Sequence, residues 1–208
     1  MMRTNDAETA GTIRTDDGIT AVRMARSIIT QEATGKRMLY MMHLPYNEPS
    51  GVFVTINEFP SSELRGCIGF IEPVYPFTEA LEHAARSACH DPRFSDLREK
   101  ELDNVVVEVT VLTKPEIIRV EKKEDLLTKI KIGRDGLTLE YRGRRSVFLP
   151  QVPVEWEWDV TEYLENLCMK AGIGKDRWKD AECILSSFEG RIFKETSPNG
   201  DVIEVSEC

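Results

Sequence analysis

Apolar residues recur along this chain with two different periods, and the switches between them mark its elements. Ala21, Val22, Ala25, Ile28 and Ile29 fall at helical spacing. They predict a helix from an Asp17 cap to about Thr34, stopped by Gly35, with Arg23, Arg26, Thr30 and Gln31 facing outward. After a proline-bearing connector, GVFVTINE alternates as a strand and FPSSE turns into a second strand, LRGCIGF (64–70). Phe77, Leu81, Ala84 and Ala88 then predict a helix from Phe77 to about Cys89. HDPRFSDLREKEL reads as a loop and a short helix capped by Ser95, leading to the strand NVVVEVTVLT with its β-branched run.

The second half repeats this grammar. A short helix near Asp125 to Ile130 precedes GLTLEYRGRRSVFLP, a hairpin turning near Arg142 and Gly143. Prolines 150 and 153 follow, and then the helix DVTEYLENLCMKAGI. In it Asp159 and Glu162 form a capping box, Gly172 takes the first position past the end, and Ile173 supplies the closing apolar contact. CILSSFEGRIFKE reads as one strand, and SPNGDVIEV as a turn and an edge strand. DPRF (91–94) holds in the first half the slot that KDRW (175–178) holds in the second. The pattern reads as a duplicated ββαβ unit in an α+β fold, a largely antiparallel sheet with flanking helices. Residues 1–15 are expected to form a mobile tail and 16–208 a single domain, with lobes over 16–115 and 116–208.

Composition narrows the functional classes. The net charge of −9 argues against general binding to nucleic acid or anionic membranes. Cysteines 67, 89, 168, 183 and 208 are odd in number, widely spaced and free of any CxxC pair, which fits neither a disulfide framework nor a zinc ribbon. A reducing compartment follows, and the polar start MMRTNDAETAGT lacks the apolar core of a signal peptide. Apolar runs such as VVVEVTVL are far too short to span a membrane, so a soluble cytoplasmic protein is expected.

LRGCIGF is the densest chemical stretch. Strict alternation puts Arg65 and Cys67 on one strand face, roughly 6.5 Å apart, and a guanidinium there would favour the reactive thiolate. Gly66 and Gly69 would permit a ligand or another backbone to come close. The structural reading is a core cysteine between packing glycines. Asp91 and Arg93 form a second polar spot that either binds substrate or pins its loop to the helix end. His83 and His90 lie roughly 10.5 Å apart along a helix, too far to share a metal, and no metal site is expected. No GxxxxGK, GxGxxG or GxSxG motif is present. The run TKIKIGRDGLTLEYRGRR is locally basic, with Arg142, Arg144 and Arg145 at its end, but Tyr141 is its one aromatic, so nucleic-acid binding is a weak reading.

At LRGCIGF the chain resembles the AMMECR-type domain family. GVFVTI, DPRF, VVVEVTVLT, the Gly133–Asp135–Gly136 stretch, FLPQV and WDVTEYLENLCMKAGI resemble that family in order and spacing, from about Ile19 to Glu195. Phe70 departs from it, standing where the family usually carries a small hydroxyl residue. The resemblance implies a two-lobed α+β fold, an intracellular role, no settled activity and no known cofactor. It also implies a shared pathway with Memo-type and radical-SAM proteins, to which relatives are sometimes fused. The implied functional surface is Arg65, Gly66, Cys67, Ile68 and Gly69, with Asp91, Arg93 and Phe94 as a second candidate. Two functions are therefore expected as alternatives: an enzyme or enzyme component with Cys67 as thiolate and Arg65 as anion anchor, or a non-catalytic adaptor.

Overall fold

The structure is a computed structural model that describes residues 13–36 and 43–205. In chain order its elements are α1 (Thr15–Thr34), β1 (Gly51–Glu58), β2 (Leu64–Phe70), α2 (Phe77–Ala88), β3 (Val105–Leu112) and β4 (Glu116–Ile117). They continue with α3 (Leu126–Lys129), β5 (Gly136–Tyr141), β6 (Arg144–Phe148), α4 (Gln151–Glu155), α5 (Val160–Lys170), β7 (Ile184–Phe188), β8 (Gly190–Glu195) and β9 (Val202–Val205). Short 3-10 turns precede β3 and follow α5.

Two compact units result, and the chain leaves and re-enters the first. The second unit spans Lys114–Gly190, and Arg191 returns to the first. The expected second lobe of 116–208 is therefore corrected at its far end, because β8 and β9 complete the first sheet. That sheet runs β2-β1-β3-β8-β9. The expected single strand CILSSFEGRIFKE is two strands broken at Glu189, β7 serving the second sheet and β8 the first.

In the first unit β1 pairs antiparallel with both β2 and β3. Val52, Val54 and Ile56 alternate into a core shared with Ala21, Val22, Ala25, Ile28, Ile29, Leu81 and Ala84. The predicted stripe of α1 is thus buried, and Gly35 ends the helix with φ 67°. Three details differ from expectation. Asp17 is not the cap but a buried first-turn acid that receives Arg14 Nε at 3.1 Å. The chain is also ordered before the expected boundary, since Ile13 is buried and α1 starts at Thr15, while residues 1–12 of the expected tail lie outside the described residues.

The third concerns Arg26, which lies inside the unit and not outside. It forks onto the Glu195 carboxylate of β8 and donates to the carbonyls of Val105 (2.7 Å) and Leu102 (3.3 Å). Glu195 in turn accepts the Val107 N–H at 3.0 Å, so this buried pair is held by backbone groups on both sides. Ion pairs this deep persist only where hydrogen bonds replace lost hydration.

The second sheet runs β4-β7-β5-β6 with antiparallel pairing throughout. Its hairpin, helix and third strand repeat the arrangement of the first unit: β6-β5-β7 follows the same order as β2-β1-β3. Leu137, Leu139, Tyr163, Leu164, Leu167 and Trp178 form its core. Local expectations fare well here. Arg142 and Gly143 turn the hairpin with positive φ. Asp159 and Glu162 exchange capping bonds at 2.8 and 3.0 Å, and the Ile173 N–H closes on the Cys168 carbonyl at 3.1 Å past Gly172.

Candidate functional site

β2 is the outermost strand of its sheet, and its register slips where the motif begins. Ile56 pairs with Gly66 but Asn57 pairs with Leu64, leaving Arg65 as the extra residue of a bulge. A bulge re-aims its side chain, so Arg65 and Cys67 do not work on one face as strict alternation predicts. Arg65 is buried and turns to Glu101 at 2.8 Å, while its Nη2 donates to the carbonyls of Ser95 (2.9 Å) and Asp96 (3.4 Å). Burial opposes charge on Glu101, but the bonds from Arg65 and from the Arg98 N–H prevail and hold its carboxyl below the ordinary range. Glu101 also closes the 3-10 turn through that Arg98 N–H, so Ser95 is not the cap; its carbonyl serves Arg65 instead.

Cys67 is joined to the DPRF loop through its backbone. Its N–H donates to Asp91 Oδ2 at 2.9 Å, and its carbonyl accepts Arg93 Nη2 at 3.4 Å. Asp91 is buried and also takes the Arg93 N–H (3.0 Å), Nε (3.0 Å) and Nη2 (2.7 Å). The Arg93 guanidinium is the main reason that the Asp91 carboxyl is held far below the usual carboxylate range. These two side chains occupy the free edge of β2 at Cys67, where a neighbouring strand would otherwise bond. The Phe94 ring carries Arg93 at 5.6 Å and Arg65 at 5.9 Å from its centroid.

The thiol itself faces the other way. Cys67 stands opposite Thr55, and the Thr55 hydroxyl donates to Sγ at 3.2 Å. Glu108 of β3 stands opposite Thr55 in turn. Burial pushes the Cys67 thiol above its ordinary value; the Thr55 bond and the Arg93 charge offset this in part, and Glu108 and Asp91 add to it. Glu108 is itself pushed upward by burial, against Lys194 at 3.9 Å. Among the described residues no histidine or carboxylate bonds to Cys67 Sγ. Cys89, pushed up to about 12 by burial, and Cys183, to about 11, are buried core thiols.

Both glycines have packing reasons. A Cβ on Gly66 would overlap the Ala88 carbonyl oxygen at the end of α2, and one on Gly69 would overlap Val52 O and the Phe53 backbone. Ile68 and Phe70 pack against the first core, and Phe70 meets Tyr75 edge-to-face at 5.6 Å. The space beside both glycines is filled by backbone of the same unit.

The structure thus brings Arg65, Cys67, Asp91, Arg93 and Phe94 together. It adds Thr55, Glu101 and Glu108, which the sequence reading did not name. Thr55 and Glu108 were accessible in principle through the register of β1 with its neighbours. His90 bridges Asp96 (3.0 Å) and Glu32 (3.2 Å), which raise its pKa, and Arg86 joins Glu32 at 2.6 Å. Both ends of the 90–98 loop are thereby tethered. Arg142 lies 2.6 Å from Glu182 and Arg145 3.1 Å from Glu140. Among the described residues no group of three or more His, Cys, Asp or Glu is suited to a metal ion, and no helix is long and apolar enough to cross a membrane.

An α+β protein of antiparallel sheets, with an arginine-glycine-cysteine strand clamped by a DPRF loop, is the class that fold and site define. The chain belongs to the AMMECR1 family, whose model matches residues 22–193. It is similar to Protein MJ0810 of Methanocaldococcus jannaschii, 48% identical over 91% of this chain and 95% of that protein. It is also similar to Protein PH0010 of Pyrococcus horikoshii, 44% identical over 91% of this chain and 95% of that protein. The crystal structure of the uncharacterized protein PH0010 superposes with a TM-score of 0.78 at 42% identity, covering 93% of this chain and 98% of that one.

Proposed function

We propose that this protein is a non-catalytic binding module, and that the loop carrying Pro92, Arg93 and Phe94 beside β2 is its recognition surface. The observation that supports this most is the state of the Cys67 thiol: pushed up by burial, hydrogen-bonded by Thr55, and, among the described residues, without a base at Sγ. A cysteine nucleophile needs a base or a cation that stabilises its thiolate. Arg65, the residue expected to supply that charge, is engaged by Glu101 and two carbonyls.

The loop suits recognition instead. Arg93 is exposed and Phe94 half-buried, and the two are fixed by Asp91, Arg65 and the His90 bridges. Arginine and aromatic residues dominate binding hot spots, and a loop ordered before binding loses little freedom on capture. Memo-type and radical-SAM proteins are the partners to try, as the family resemblance implies.

The test is titration of the chain with the Memo-type protein and, separately, the radical-SAM protein of the same genome. The Cys67→Ala variant is expected to bind as the parent does, and Phe94→Ala to bind at least about tenfold more weakly. Loss of cellular function in Cys67→Ala with binding retained, together with fast alkylation of Cys67, would favour the enzyme reading.

A further inference from the structure

A second surface, independent of Cys67, lies at the edge of the second sheet. Two cavities, of about 620 and 470 Å³, share Ile117, Ile118 and Arg119 as walls. β4 ends its sheet. The Ile118 N–H donates to the Leu185 carbonyl at 2.9 Å, toward β7. Antiparallel alternation therefore turns the N–H and C=O of Ile117 to the free side. The Arg119 carbonyl shares that side and accepts Lys129 Nζ at 2.6 Å, which places an ammonium directly on the edge.

The charge around this edge runs against the charge of the chain, which is −9 overall. Lys129 and Lys123 are held by backbone carbonyls, Arg119 O and Cys183 O (2.7 Å), which position the ammonium groups without neutralising them. Among the described residues Arg119 has no carboxylate within ion-pair distance. Arg134 is spent on Asp135 at 2.7 Å, and Glu116 and Glu121 are the remaining acids of the walls. Ile117 adds an exposed apolar side chain to the same walls. Edge lysines deter pairing with another apolar strand, and the same lysines attract an acidic one.

We propose that β4 is a docking edge: an extended segment of a partner protein, with acidic residues at alternating positions, adds to it as a fifth strand. The main-chain bonds to Ile117 supply the strand geometry, and alternate carboxylates meet Arg119 and Lys129. Alternation puts Ile117 on the face of Arg119 and Ile118 on the opposite face, against the second core, so the apolar positions of the added strand would lie beside Ile118.

The probe is a capped octapeptide of alternating valine and glutamate, followed by amide chemical shifts in the full chain. The expected result is a shift centred on Ile117 and Arg119, with no shift from the valine–lysine counterpart. Ile117→Pro removes an N–H that β7 does not use, an edge position where proline is tolerated; it should weaken the peptide at least about tenfold. If that variant fails to fold, the Arg119→Ala and Lys129→Ala double variant, which leaves the core untouched, takes its place and should weaken the peptide by a similar factor. The proposal is overturned if the peptide shifts nothing, if the lysine peptide binds equally, or if Ile117→Pro folds and binds as the parent does. It is also overturned if inorganic pyrophosphate or a short single-stranded DNA binds the same residues and Ile117→Pro leaves that binding unchanged, since the site would then be an anion pocket.

Discussion

The Asp91 carboxylate accepts the backbone N–H of Cys67 at 2.9 Å while Arg93 donates to the carbonyl of the same residue. The two candidate motifs are thereby one structural unit, in which DPRF closes the open edge of the RGCIG strand. Asp91→Ala leaves the Cys67 N–H and the Arg93 fork without their acceptor. It should cost about 3 kcal/mol by denaturant unfolding. A cost below about 0.5 kcal/mol would mean that the clamp does not hold the strand.

The same carboxylate gives a pH signature. Its folded pKa lies below its unfolded value of 3.8, so its contribution to stability is complete above that value and is lost as pH falls below it. Melting temperatures measured from pH 6 to pH 3 should fall less steeply in Asp91→Asn than in the parent. Equal slopes would show that Asp91 carries no such linkage.

Gly66→Ala and Gly143→Ala separate packing from backbone conformation. The first forces a methyl onto the Ala88 carbonyl oxygen, and overpacking of that kind costs about 1–3 kcal/mol. The second meets open space but sits at φ 78°, so it should cost about 1 kcal/mol through conformation alone. Denaturation midpoints of the two variants test the order.

The buried Arg26–Glu195 pair predicts a third contrast. Arg26→Met strips the partner from a buried carboxylate and should destabilise by about 3–5 kcal/mol. The double variant with Glu195→Met should recover much of that loss, because no unpaired charge remains. A double variant no more stable than the single one would refute this account.

Local chemistry is what the sequence made readable. Asp159 with Glu162, Gly172 with Ile173, and Arg142 with Gly143 each lie within a few residues of one another, so their caps and turns follow from spacing. The order strand, strand, helix, strand was readable in both halves for the same reason. Helical periodicity places Arg26 outside because its partner Glu195 lies far along the chain, and a local pattern cannot foresee a buried charge satisfied from so remote a strand. β7 and β8 merged because Glu189 alone separates them, although they serve different sheets.

At the candidate site the motif was legible as a place and not as an arrangement. Unbroken alternation makes Arg65 and Cys67 neighbours on one face, and the bulge at Arg65 breaks it. The sequence leaves Asp91 and Arg93 open between binding a substrate and pinning their loop to the helix end; their bonds to the Cys67 backbone of β2 could be found only in three dimensions.

Cys67, half-buried and hydrogen-bonded by Thr55, is expected to behave as an inert thiol and not as a poised nucleophile. Its alkylation by iodoacetamide, followed by mass spectrometry of the Cys67 peptide from pH 6 to pH 11, tests this most directly. The expected rate lies below that of the same cysteine in the denatured chain at neutral pH, with the midpoint of its rise displaced upward from the unfolded value of 9.0. A midpoint near or below about pH 7, with labelling faster than in the denatured chain, would contradict it.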